Sequence, residues 1–144
     1  MPGKITGKPN QPILAIDYGR KRIGLAVSAL SVPCPLESIT RTDFKTDIAK
    51  ISEVINDYSV SEIVIGLPLN MDDTESEMTV EVRNFAAALR NRLKMEIQFT
   101  GEKLTSREAE QKLSVTNKNW KKRKGKIDSI AASLILQNFL EKKT

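Results

Sequence analysis

The chain has 144 residues, 40% of them hydrophobic and 28% charged, a balance typical of a globular protein with a proper core. It contains no histidine, which excludes histidine general bases, Ser–His or Cys–His catalysis, and zinc sites built on histidine. The single cysteine, Cys34, excludes an internal disulfide and a cysteine metal cluster, and the net charge of +5 is compatible with a polyanionic partner. Any catalysis must therefore use carboxylates, lysines or hydroxyls, with or without a hard metal ion.

Residues 1–12 contain proline and glycine with little apolar character, and we interpret them as a flexible N-terminal tail. One domain is expected over residues 13–144. We expect neither a signal peptide nor a membrane association, because no apolar run is long enough to span a bilayer. The lone cysteine suits a reducing compartment, so a cytoplasmic location is expected.

The segment Ile13–Ser28 predicts a β-hairpin that begins the fold. Ile13–Ile16 is an apolar run typical of a strand buried on both faces, and it ends at Asp17. After the charged turn at 18–21, strict alternation over 23–28 predicts an antiparallel second strand. A carboxylate held where a buried strand leaves the core suits a metal ligand; the alternative is an aspartate that hydrogen-bonds only its own turn.

The next residues predict one helix between two strands. An irregular segment at 31–35 precedes a third, edge-type strand over Leu36–Thr40. Helical spacing from Phe44 to Tyr58 predicts a helix capped by Asp43. A buried strand follows over Ser61–Gly66, and Gly66–Asn70 is expected to form a loop.

The second half of the chain predicts three helices and one strand. Thr74 and Glu77 have the spacing of a capping box, which starts a long helix. Alternation over 95–99 predicts a strand that ends at 100–103. Thr105 and Glu108 form a second capping box for a short helix, and a basic loop follows over 114–125. The last helix has a predicted apolar face of Ile127, Ile130, Ala131, Leu134, Ile135 and Phe139. A hairpin continued by βαβ units is a mixed α/β layer fold.

Three carboxylates are the candidate chemical groups. Asp17 and Glu102 each follow a strand, and parallel strand ends share one edge of a sheet, the usual ligand site in open α/β folds. Asp128 lies in the first turn of the last helix, next to small residues that allow close approach. Converging on one site, the three would suit Mg²⁺ or Mn²⁺. Taken singly, Glu102 also fits a solvated loop residue, and Asp128 a carboxylate favoured by the helix dipole.

Basic residues flank two of these acids. Arg20, Lys21 and Arg22 follow Asp17 closely. The loop before Asp128 contains Lys118, Trp120, Lys121, Lys122, Arg123, Lys124 and Lys126. Cations beside carboxylates hold phosphates, and a tryptophan among them stacks on bases; a solvated, mobile loop is the alternative. The segment at 66–68 lacks the Gly-Lys-Ser/Thr ending of a P-loop.

Four segments together resemble a known family. They are IDYGRKRIGLAVS, IGLPLNMDDTES, GEKLTSREAE and RKGKIDSIAASLILQNFL. In this order they resemble the motif blocks of the YqgF/RuvX family, Holliday-junction-resolvase-like proteins also regarded as nucleases that process the 5′ end of pre-16S ribosomal RNA. The resemblance spans about Ile13 to Leu140, nearly the whole chain.

The resemblance implies an RNase H-like fold: a five-stranded mixed sheet with an antiparallel second strand and helices on both faces. It also implies a Mg²⁺- or Mn²⁺-dependent nuclease whose catalytic and metal-binding acids are Asp17, Glu102 and Asp128. Where the family usually has aspartate and arginine, this chain has Gly101 and Lys103. Lysine keeps the charge of arginine but loses its bidentate fork.

The favoured hypothesis is a cytoplasmic nuclease that acts on structured RNA, as a monomer or homodimer that associates with a ribosomal particle. The predicted nucleic-acid-binding residues are Arg20, Lys21, Arg22, Trp120, Lys122, Arg123, Lys124 and Lys126. One alternative is a Holliday junction resolvase acting on branched DNA, and another is a nucleic-acid-binding factor without catalysis. Ile16–Gly19 also resembles the phosphate loop of actin-like ATPases and sugar kinases, which need two such domains where this chain supplies one.

Overall fold

A computed structural model describes residues 11–102 and 127–143. The strands are β1 (Ile13–Asp17), β2 (Arg22–Ala29), β3 (Val32–Thr40), β4 (Glu62–Pro68) and β5 (Ile97–Glu102). The helices are α1 (Phe44–Tyr58), α2 (Glu77–Leu93) and α3 (Ile127–Lys143). The predicted short helix from Thr105, the basic loop at 114–125 and the tail at 1–10 lie outside the described residues.

The strands form one mixed sheet in the order β3-β2-β1-β4-β5. β2 pairs antiparallel with both β1 and β3, whereas β1, β4 and β5 run parallel. The five-stranded sheet with an antiparallel second strand is therefore confirmed.

Both faces of the sheet are covered, which explains why β1 is apolar at every position. Leu14 and Ile16 pack in the core that contains α1 and α2 residues. Ile13 and Ala15 lie in a second core with residues of α3. The apolar run of β1 is thus divided between two layers of helix, as expected for a strand at the centre of an α/β sheet.

The helix starts confirm one predicted cap and correct another. Asp43 caps α1, because its Oδ1 accepts a hydrogen bond from the Thr46 amide at 2.8 Å. The predicted capping box of Thr74 and Glu77 is wrong: α2 begins at Glu77, and Ser76 forms the capping box with Thr79. Thr74 instead donates its hydroxyl to Asp72 within the preceding loop.

Two predicted strand boundaries are also wrong. β3 includes Pro33 and Pro35, which were expected to be irregular; proline fits there because β3 is an edge strand and needs no ladder donor on its free side. β4 continues to Pro68, so Gly66, Leu67 and Pro68 are strand and not loop. The longer β4 pairs with β5 as far as Glu102.

The apolar face predicted for the last helix is only partly correct. The positions of α3 buried against the sheet are Ser129, Ala132, Ile135, Leu136 and Phe139. Ile130, Ala131 and Leu134, expected on that face, are only half-buried. Within the described ranges, no helix is long and apolar enough to cross a membrane.

Candidate functional site

The carboxyl ends of β1, β4 and β5 lie along one edge of the sheet. Ile16 pairs with Ile65, and Ile65 pairs in turn with Phe99. The register therefore places Asp17 level with Thr100, and Glu102 lies two residues further along β5. Two strand spacings separate β1 from β5, on the order of 10 Å. The fold thus brings the backbones of Asp17 and Glu102 to the same end of the sheet, as the sequence predicted.

Helix α3 starts at this same end. The Ser129 hydroxyl accepts a hydrogen bond from the amide of Leu25 at 3.2 Å, and Leu25 pairs with Ile16 next to Asp17. Because Asp128 directly precedes Ser129, its backbone lies beside the end of β1. The structure describes the side chain of Asp17, which is half-buried, and only the backbone of Glu102 and Asp128.

A glycine in β4 allows α3 to pack close to the sheet. A Cβ atom at Gly66 would lie 2.4 Å from Cδ1 of Ile135. Ile135 is almost completely buried, so any larger side chain at position 66 would displace the helix or its side chain. The close packing of α3 therefore depends on the residue at position 66.

The predicted metal ligands stay a prediction. Among the side chains that the structure describes, no three His, Cys, Asp or Glu residues form a group able to hold a metal ion. The predicted set includes Glu102 and Asp128, whose side chains lie outside that description. What the backbone provides is the placement of all three positions at one end of the sheet.

The turn after Asp17 is fixed by a glutamate from α2. Tyr18 donates its hydroxyl to Oε1 of Glu81 at 2.8 Å, and Nη2 of Arg20 lies 3.0 Å from Oε2 of the same carboxylate. The hydrogen bonds from Arg20 and Tyr18 lower the pKa of Glu81 below its ordinary value. Burial raises the pKa of Tyr18. Glu81 therefore remains ionised and holds the turn against α2.

An arginine that follows β3 holds the other side of this turn. Arg41 donates to the Gly19 carbonyl at 3.3 Å and to Oδ2 of the fully buried Asp47 at 3.2 Å. Its guanidinium lies 4.8 Å from the centroid of the Tyr18 ring. Sequence reasoning identified neither Arg41 nor Glu81, because no local pattern links them to a turn so far away in the chain.

Position 19 requires glycine for a steric reason. A Cβ atom there would lie 2.4 Å from the carbonyl oxygen of Arg22, a backbone atom that cannot turn aside. The tight turn presents Arg20, Lys21 and Arg22 as exposed side chains beside the end of β1. The other predicted nucleic-acid-binding residues, Trp120, Lys122, Arg123, Lys124 and Lys126, lie outside the described residues.

The loop between β4 and α2 closes on itself at the same end of the sheet. The amide of Asn70 donates to the Thr74 carbonyl, and the amide of Asp73 donates to the Asn70 carbonyl, both at 2.9 Å. Asp73 has a φ of 68°, a left-handed conformation that is unusual for a residue with a side chain. Thr79 donates its hydroxyl to the carbonyl of Pro68, which attaches the end of β4, where the loop begins, to α2.

Comparison with other proteins gives a consistent result. The family model RuvX, described as Holliday junction resolvase, matches residues 11–142. A Rickettsia africae protein, provisionally named a pre-16S rRNA nuclease, is 36% identical over 92% of this chain and 88% of its own length. A Koribacter versatilis protein with the same provisional name is 39% identical over 91% of this chain and 87% of its own length.

Two solved structures share the fold at low sequence identity. RuvC of Thermus thermophilus, in complex with a Holliday junction substrate, matches with a TM-score of 0.57 at 13% identity over 92% of this chain and 96% of that one. The Fowlpox virus resolvase with its Holliday junction DNA matches with a TM-score of 0.56 at 11% identity over 92% and 99%. The fold is therefore RNase H-like, and the agreement of the family model with these relatives shows that the chain belongs to the RuvX family.

Proposed function

We propose that this protein is a divalent-metal-dependent nuclease that hydrolyses phosphodiester bonds of structured RNA, and that its substrate is the 5′ end of pre-16S rRNA. The observation that best supports the proposal is the placement of Asp17, Glu102 and Asp128 at one end of the sheet. The provisional names of the relatives support the choice of reaction and substrate.

The three acids have the chemistry of a site for a hard divalent cation. Carboxylate oxygens are the ligands that Mg²⁺ and Mn²⁺ prefer, and three such groups at one site would repel each other without a cation. Asp17, at the end of a strand buried on both faces, has the rigid backbone that a metal ligand needs. When bound, such an ion lowers the pKa of a water molecule and stabilises negative charge on the phosphate.

The residues of the chain then divide into two roles. Asp17, Glu102 and Asp128 would hold the metal. Arg20, Lys21, Arg22, Lys124 and Lys126 hold the phosphates of the substrate and offset the charge that develops during hydrolysis. The contacts of Arg41 and Glu81 with the turn at 18–21 keep the first three of these cations beside Asp17.

The decisive test is Asp17→Asn, which removes one charge with little change in shape. We expect cleavage of a precursor rRNA in the presence of Mn²⁺ to fall by about 100-fold or more, since loss of an outer-shell partner alone typically costs 10–100-fold. The matched control is Asp57→Asn on the exposed surface of α1, which should retain activity within about twofold. Full activity of Asp17→Asn would overturn the assignment of the site.

The family description favours one second candidate, resolution of branched DNA. A resolvase makes two symmetric cuts and needs a stable dimer, so we would compare cleavage of a four-way DNA junction and of precursor rRNA by the same preparation, together with its size in solution.

Exposed Gly101, where the family usually has an acid, favours a binding factor without catalysis. Binding of RNA without cleavage of either substrate would support that alternative.

A further inference from the structure

A shallow groove lies between α2 and the edge strand β5, on the face of the sheet opposite α3. It is lined by Arg83, Ala86, Ala87, Arg90, Ile97 and Phe99. The helical residues recur at i, i+3, i+4 and i+7 and so form one stripe of α2, in which two alanines leave a gap between two arginines. The volume, about 170 Å³, is well below the ~300–1,000 Å³ of typical cofactor and drug sites. The groove therefore suits a single planar group.

Phe99 gives the groove an aromatic wall. Its side chain is 39% exposed on a strand that forms the edge of the sheet. The guanidinium of Arg83 lies 5.6 Å from the centroid of the Phe99 ring. Nη2 of Arg83 is 2.6 Å from Oε2 of Glu75, and this ion pair fixes the guanidinium over the ring. The Arg83 guanidinium thus covers part of the Phe99 ring, and a base would stack on the part of the ring that stays exposed.

Arg90 gives the groove a cation at its other end. The residue is exposed, and within the described part of the chain no carboxylate forms an ion pair with it. A guanidinium binds phosphate oxygens through two parallel hydrogen bonds. An aromatic face next to such a cation is the combination that binds single-stranded nucleic acid, because every base has a face that stacks.

We propose that this groove binds one unpaired nucleotide of the RNA substrate, with its base on Phe99 and its phosphate on Arg90. The inference rests on the proposed function for the identity of the polymer. Phe99 precedes Glu102 by three residues along β5, about 10 Å at ~3.3 Å per residue. This distance corresponds to about three stacked nucleotides at ~3.4 Å each. Because successive residues of a strand alternate between its two faces, Phe99 faces α2, whereas Thr100, whose hydroxyl lies 3.5 Å from Nζ of Lys142 in α3, faces the opposite side. The RNA would therefore pass around the edge strand β5 between the groove and the proposed cleavage site.

A second copy of this chain is a poorer occupant of the groove. A two-fold dimer brings the same patch of both subunits together, so a contact through the groove would bring its arginines near those of the second copy. Like charges at such a contact are repulsive, whereas a polyanion is attracted by them. The charge of the groove thus favours nucleic acid.

The test measures binding of a fluorescently labelled, unstructured single-stranded RNA by anisotropy, without divalent metal so that nothing is cleaved. Phe99→Leu should weaken binding about tenfold, because leucine removes the aromatic face on which the base stacks. Phe99→Trp keeps the stacking face and should bind within about twofold of the wild type. Thermal unfolding of each variant confirms that it is folded.

Two arginines of α2 provide a matched pair of variants that tests the role of charge in the groove. Arg90→Gln and Arg92→Gln remove the same charge from the same last turn of the helix, but only Arg90 lines the groove. We expect Arg90→Gln to weaken binding at least threefold more than Arg92→Gln at equal salt concentration. Equal effects would mean that only the general charge of the helix matters, and would overturn the proposal.

The remaining outcomes separate this inference from the proposed function. If the wild type cleaves neither RNA nor DNA but Phe99→Leu and Arg90→Gln still weaken RNA binding, the groove assignment stands and the nuclease proposal fails. If Phe99→Leu binds RNA as tightly as the wild type, the groove assignment fails whatever the cleavage result. A change in oligomeric state of Phe99→Leu with unchanged RNA affinity would show instead that the groove joins two copies.

Discussion

The hydroxyl of Ser129 accepts a hydrogen bond from the backbone amide of Leu25 at 3.2 Å, and both groups are buried. This contact joins the start of α3 to β2 at the point where the register between β2 and β3 shifts, between Ile23 and Leu25. A buried amide without a partner is costly, so the Ser129 hydroxyl satisfies the Leu25 amide where the pairing of β2 with β3 is irregular. Because Asp128 precedes Ser129, the same bond fixes the position of a proposed metal ligand.

Ser129→Ala should therefore destabilise the protein by about 1–3 kcal/mol, because it leaves the Leu25 amide buried and unpaired. The matched control is Ser133→Ala, since the Ser133 hydroxyl only donates to the Ser129 carbonyl within the helix and is half-buried. We expect urea unfolding to show the smaller loss for Ser133→Ala. Equal losses would show that the contact with β2 has no special importance.

Gly66→Ala should cost about 1–3 kcal/mol, because the new methyl group would overlap Ile135, a side chain that is almost completely buried. Ile135→Ala alone creates a cavity and costs about 2–5 kcal/mol. In the double variant the methyl group at position 66 occupies part of that cavity. The loss of stability of the double variant should therefore be at least ~1 kcal/mol smaller than the sum of the two single losses. Strict additivity in urea unfolding would contradict the packing described here.

The sequence predicted those elements whose pattern allowed one interpretation. The run Ile13–Ile16 has no polar position, and only a central strand buries both of its faces. The start of α2 was missed because Asp72, Asp73, Thr74 and Ser76 are all suitable caps. The choice depends on Thr79, which bonds both to Ser76 and to the distant carbonyl of Pro68. A contact of that kind leaves no local pattern.

The candidate site also contains residues that a local pattern predicts and residues that only distant contacts identify. Asp17 and Glu102 were predicted from their places after strands, and Asp128 from its place in the first turn of the last helix; the resemblance to a family then supported the set as metal-binding and catalytic acids. Glu81 and Arg41 were missed, because the bonds that link them to the turn span 63 and 22 residues of sequence. The buried face of α3 was misplaced because this helix is apolar on most sides, so the sheet and not the periodicity decides its orientation.

Arg41→Lys keeps the positive charge near Asp47 but loses the planar group that reaches the Gly19 carbonyl and the Tyr18 ring. We expect a loss of about 2 kcal/mol in urea unfolding, within the range for hydrogen bonds to charged groups. Affinity for RNA should also fall, since the turn at 18–21 is no longer held. Arg92→Lys, on the exposed surface of α2, should change neither quantity; equal effects of the two variants would exclude a special role for Arg41.

Glu81→Gln should make stability less dependent on pH in acid. The hydrogen bonds from Arg20 and Tyr18 depress the pKa of Glu81 in the folded protein. A carboxyl with a depressed pKa stabilises the fold at any pH above its unfolded value, near 4.5, and this contribution is lost as the pH falls through the lower folded pKa. Melting temperatures should therefore differ between wild type and Glu81→Gln at neutral pH and converge as the pH falls below the folded pKa of Glu81. Glu53→Gln, on the exposed side of α1, should follow the wild type throughout. A constant difference for Glu81→Gln at all pH values would mean that its ionisation does not stabilise the turn.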